Sequence, residues 1–149
     1  MMVDCLPLSL FGSTFRLESE DWTGLVSFSW ATEDGGIEVD GNHHLVRKQG
    51  WLSGRWDLCQ GQEVMAVARK TNPFTRTVEI DWRGEAWRLS ASGFGRSMTL
   101  SGPRGRMEIR PVHAFTRRSS MEGAEVDPVL ASLAFWLTVM LWRRQAGGS

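Results

Sequence analysis

Nothing constrains this chain more than its closing apolar segment. From Val129 to Trp142 the sequence VLASLAFWLTVMLW runs for fourteen residues without a charge. Asp127 offers an N-cap, Pro128 suits the first helical position, and Glu125 lies near the positive end of the helix dipole. Arg143 and Arg144 complement the negative end and Gly147 is expected to stop the helix, so the sequence predicts a central helix over 127–144. Fourteen helical residues rise only about 21 Å, against roughly 30 Å of bilayer hydrocarbon. Ser132 and Thr138 lower the hydropathy further, so a buried core helix is favoured over a tail-anchored span. The apolar residues nevertheless surround the cylinder: Val129, Leu133, Trp136 and Met140 on one side, Leu130, Leu137 and Leu141 on another. A helix apolar on every side has to be enclosed.

What precedes it reads as strands. From Phe11 to about Pro111 apolar residues recur with period two. Val26, Phe28 and Trp30 share one face; so do Val64, Ala66 and Ala68, and Val78, Ile80 and Trp82. Trp87 and Leu89, Met98 and Leu100, and Met107 and Ile109 follow the same rule. Turn chemistry bounds the runs, as in Asp40-Gly-Asn, Gln60-Gly-Gln, Arg83-Gly-Glu and Gly102-Pro-Arg-Gly. This is an antiparallel meander, either a barrel or a sandwich with a packed helix. A helix that must be enclosed favours the closed barrel. Ala66, Ala68, Ala86 and Ala91 are the small residues expected to leave room for it in the lumen.

The stretch GQEVMAVARKTNPFTRTVEIDWRGEAWRLSA (Gly61 to Ala91), GRMEIRP (Gly105 to Pro111) and the helix ending LTVMLWRR resemble the small bacterial members of the tubby C-terminal-like superfamily. That superfamily also includes the plant LURP-one-related proteins and the phospholipid scramblases. The resemblance runs from about Phe15 to Arg144 and rests on hydrophobic patterns with glycine turns. It implies a mainly β fold, a twelve-stranded closed antiparallel barrel around a central hydrophobic C-terminal helix. One domain is expected over 1–149.

Composition narrows the function classes. The 17 basic and 17 acidic residues cancel, so bulk charge points to no nucleic-acid or membrane partner. Eight acidic residues and only Arg16 lie before Val46, whereas sixteen basic and nine acidic residues follow. A solvated, mixed surface is the favoured reading of that split, with a negative and a positive face on one molecule as the alternative. Two scattered cysteines, Cys5 and Cys59, suit neither a disulfide framework nor a zinc site. A reducing, cytoplasmic location is therefore expected, peripheral to the membrane if the protein meets lipid. Met1 to Phe11 contains Leu6, Leu8 and Leu10 but also Asp4 and no basic residue, and reads as a first strand or a tail laid on the body rather than a signal peptide.

No catalytic constellation stands out. His43 and His44 are adjacent, so on a strand they face opposite ways, and His113 stands alone. Ser92-Gly-Phe-Gly-Arg-Ser lacks the lysine and the strand–loop–helix setting of a phosphate loop and reads as a turn. No cofactor or metal is expected. The positive signal is arginine. Arg104, Arg106 and Arg110 share strand parity, Arg117 and Arg118 follow, and with Arg69 and Lys70 they are the candidate anion- or lipid-binding residues. Trp22, Trp51 and Trp56 are read as strand-end packing rather than interfacial anchors. A non-catalytic module recognising an anionic phospholipid headgroup or an acidic protein is the leading expectation. A structural, oligomerising domain, or an enzyme using carboxylates such as Glu33 and Asp34 at a barrel end, are the alternatives.

Overall fold

The structure, a computed structural model, describes residues 1–8, 12–50, 54–72, 75–91, 95–113 and 117–148, with side chains for all of these except 113 and 146–148. Twelve strands follow one another: β1 (Met2–Pro7), β2 (Thr14–Ser19), β3 (Thr23–Ser29), β4 (Asp34–Val39), β5 (Asn42–Lys48), β6 (Arg55–Gln60), β7 (Glu63–Lys70), β8 (Thr77–Trp82), β9 (Glu85–Ala91), β10 (Met98–Gly102), β11 (Gly105–His113) and β12 (Arg118–Gly123). Each pairs antiparallel with its neighbours in sequence, and β12 pairs back on β1, so the sheet closes into a barrel. Closure removes the edges that an open sheet would leave exposed.

The period-two residues point inward as the pattern dictates. Val26, Val78, Leu89, Met98, Leu100 and Ile109 are all fully buried. The exception lies at the start of β7. A bulge shifts the β6–β7 register, so that Cys59 pairs with Val64 and Leu58 with Ala66. The extra residue breaks the alternation: Met65 turns in and Val64, expected inside, is left exposed.

Helix α1 (Pro128–Gly148) fills the lumen. Its N-cap is the expected one, with Val129 N donating to Asp127 Oδ1 at 2.9 Å. It runs on past Arg144 to Gly148, since Gly147 does not adopt the positive φ of a glycine helix stop. Every residue from Leu130 to Trp142 is buried. The two lumen hydroxyls are satisfied within the helix: Ser132 Oγ donates to Pro128 O at 2.7 Å and Thr138 Oγ1 to Ala134 O at 2.8 Å. Trp136 Nε1 donates to Ser27 O on β3 at 2.9 Å. Its ring stacks on Phe28 at 5.1 Å, and Phe28 stacks on Trp30 at 4.5 Å.

Room for the helix comes from glycine more than from alanine. A Cβ on Gly35 of β4 would collide with Ser27 O and with the Trp136 indole, so the backbone there has to be bare. Ala66 and Ala68 line the lumen as expected, but Ala86 faces outward and Ala91, on the inward parity, is exposed at the end of β9. Among the described residues no helix is long and apolar enough to cross a membrane.

The barrel has two unlike ends. At the end where α1 begins, turns of two or three residues join the strands. Asp40-Gly41 has φ of 48° and 86° and Arg83-Gly84 has 48° and 84°, the paired positive values of a type I′ hairpin. At the end where α1 finishes, longer connections separate the strands, such as 30–33 and 49–54.

Candidate functional site

Charge is sorted along the barrel axis. Around the tight-turn end lie Glu20, Asp21, Asp40, Glu63, Glu125 and Asp127, with Arg83 and Arg104 among them. The loop end carries Lys48, Lys70, Arg96, Arg118, Arg143 and Arg144, among other basic residues, and its acidic residues are largely engaged in pairs. The polarity is therefore axial. Acids and bases from both halves of the sequence contribute, because every antiparallel strand visits both ends.

Two arrangements organise the basic end. The first is a latch on the helix terminus. Glu33 sits at the β3–β4 connection with φ of 58°. Its carboxylate receives Arg144 Nε at 2.8 Å and Arg144 Nη2 at 2.5 Å, a two-pronged pair, and Lys48 Nζ at 2.5 Å. The hydrogen bonds from Arg144 dominate, those from Lys48 add to them, and together they outweigh burial and hold the Glu33 carboxyl down at about 2. Arg144 and Lys48 also lie over the Trp56 ring, at 5.1 and 5.8 Å. Asp34 is occupied as well, accepting from Lys48 N at 2.8 Å. Burial, and then the nearby Arg144 charge, lower the pKa of Lys70.

The second is a cleft of about 210 Å³ beside the end of the helix. Arg96, Arg117, Arg118 and Arg143 line it, with Phe15, Trp30 and Trp142 forming its apolar wall. Among the described residues no carboxylate does. Arg143 lies over Trp30 at 4.2 Å, Arg96 over Trp142 at 4.9 Å and Arg117 over Phe15 at 5.6 Å. Trp142 Nε1 donates to Arg96 O at 2.6 Å, which ties the helix to the connection before β10. Arg117, in a left-handed conformation at φ 57°, donates from both Nη atoms to Gly12 O at 3.3 Å.

Of the residues singled out in the sequence, Arg117 and Arg118 meet in this cleft. Arg69 and Lys70 end β7 at the same end of the barrel, where Lys70 Nζ donates to Asn72 O at 2.7 Å. The remaining three are elsewhere. Arg104 is at the opposite end, bound to Glu85 at 2.9 Å. Arg106 and Arg110 stand on the outer wall of β11, Arg110 paired with Glu108 at 3.1 Å. Shared strand parity places side chains on one face and says nothing about distance along it. Arg96 and Arg143 escaped the sequence reading because they belong to a turn and a helix end, which only the closed barrel brings together.

Trp22 and Trp56 are buried, while Trp51 and residues 92–94 of the glycine-rich turn lie outside the described residues. His43 is exposed and His44 faces the lumen, so the two cannot act on one ligand. Burial pushes the Cys5 thiol well above its usual range. No protein family, curated protein or solved structure matches this chain.

Proposed function

We propose that this protein is a non-catalytic recognition module of the cytoplasm that docks its basic barrel end on an anionic phospholipid surface. The observation that carries this reading is the axial segregation of charge. A barrel with acid at one end and arginine at the other has a preferred orientation in a field, and an anionic leaflet attracts each nearby Lys or Arg by about 1 kcal/mol. The guanidiniums supply donors that match phosphate oxygens. A twelve-stranded barrel threaded by its C-terminal helix also supports the inference that the chain is a tubby C-terminal-like domain.

Vesicle sedimentation tests the docking. Binding is expected to phosphatidylcholine vesicles containing phosphatidylserine at low salt and to fall steeply as salt is raised. Equal binding to pure phosphatidylcholine would remove the proposal.

A further inference from the structure

We infer that the cleft between Arg96, Arg118 and Arg143 is a site for one phosphate group, carried by a lipid headgroup or free in solution. This builds on the reading of the loop end as the anion-facing end and assigns it a particular pocket. Three guanidiniums converge there, and none of the three has an ion-pair partner among the described residues. Six other arginines, Arg16, Arg55, Arg88, Arg104, Arg110 and Arg144, each hold a carboxylate. Like charges brought together without a counter-charge repel, and a bound anion relieves that repulsion.

The cations are also held in place. Arg143 lies over the ring of Trp30 at 4.2 Å and Arg96 over that of Trp142 at 4.9 Å, and each cation is attracted to its ring face. Guanidinium N–H donors in turn suit phosphate oxygens. Trp30 is fixed in turn by its stack on Phe28, which itself stacks on Trp136, and Trp142 by its bond to Arg96 O. At about 210 Å³ the cleft is below the usual 300–1,000 Å³ range for drug-sized ligands. It suits a compact headgroup and is too small for an acyl chain or a nucleotide. A phosphate dianion matches several guanidiniums, whereas a carboxylate would leave most of that charge unanswered.

The full chain titrated with sodium phosphate, against sodium chloride at matched ionic strength, gives the test through tryptophan fluorescence. A saturable change with phosphate alone is expected. It should weaken at least tenfold in the double variant Arg118→Gln, Arg143→Gln and stay unchanged in Arg106→Gln, whose side chain is on the outer wall. The same change with chloride, or an equal loss in Arg106→Gln, would overturn the site. Vesicles separate the two sources. If phosphatidic acid is preferred to phosphatidylserine at equal surface charge, and the double variant loses that preference, the phosphate is a lipid headgroup. Saturable binding of inorganic phosphate without that preference assigns the site to free phosphate. A flat phosphate titration with intact binding to phosphatidylserine vesicles sinks the pocket and leaves the docking reading standing. Phosphate binding without any binding to anionic vesicles does the reverse.

Discussion

Glu33 shows how one side chain fastens the end of an enclosed helix. Its carboxyl is held at about 2 in the folded protein against an ordinary value of 4.5. A depressed carboxyl contributes stability above its unfolded pKa and loses it as pH falls towards the folded one. The stability difference between the wild type and Glu33→Gln is therefore expected to be full at pH 6 and to shrink as pH falls from about 5 towards about 2. Urea midpoints at a series of pH values read it directly, and a difference that does not change with pH would contradict the latch. His44 presents the opposite case. Its Nδ1 is buried in the lumen without a hydrogen-bond partner, and such an atom costs about 1–3 kcal/mol. His44→Leu should therefore leave the urea midpoint unchanged or raise it. A clear drop would mean that the imidazole does more than fill space.

At the level of elements, the barrel and its helix stabilise one another. The strands present an apolar inner face that no solvent can fill, and the helix presents apolar side chains in every direction. Trp136 is the central contact: fully buried, bonded to Ser27 O and stacked on Phe28. Trp136→Ala should cost about 3–5 kcal/mol, a large part of the roughly 5–15 kcal/mol available to a domain. Chemical denaturation measures the loss, and a shift near zero would be incompatible with a lumen-filling helix. Gly35→Ala attacks the same contact from the strand side. The added methyl displaces the Trp136 indole, and overpacking of this kind costs about 1–3 kcal/mol. The same substitution at Gly54, whose Cβ would meet Lys70 instead, should leave the Trp136 fluorescence unaltered.

For the whole molecule, closure converts a sequence of mixed charge into a charge dipole. An antiparallel barrel sends every second connection to the same end, so alternate turns share an environment whatever their distance in sequence. The tight turns collect acid and the longer connections collect arginine. Association driven by such an end has to weaken with salt, since the Debye length falls from about 10 Å at 0.1 M to about 3 Å at 1 M. Neutralising Arg118 and Arg143 should flatten the salt dependence of anionic-vesicle binding, whereas Arg104→Gln at the opposite end should not alter it. Co-sedimentation across a salt series distinguishes the two, and equal slopes for both variants would mean that the basic end does not face the lipid.

The closing segment alone determined that this chain encloses a helix. Fourteen uncharged residues, too short for a bilayer and apolar all round, leave a closed sheet as the only wrapping available to a chain of strands. The period-two runs likewise determined which side chains face inward, because alternation is a property of each strand by itself. It failed at Val64, where a bulge in the β6–β7 pairing inserts Met65 and no single-strand pattern records the mismatch. It was silent on Gly35, whose bare backbone matters only because Trp136 passes across it. The arginine cleft belonged wholly to the tertiary structure. Arg117 and Arg118 are neighbours in sequence, but Arg96 and Arg143 join them from a strand connection and a helix terminus. Where a charged side chain sits along the barrel axis is set by strand ends and register, and those are decided only when β12 closes on β1.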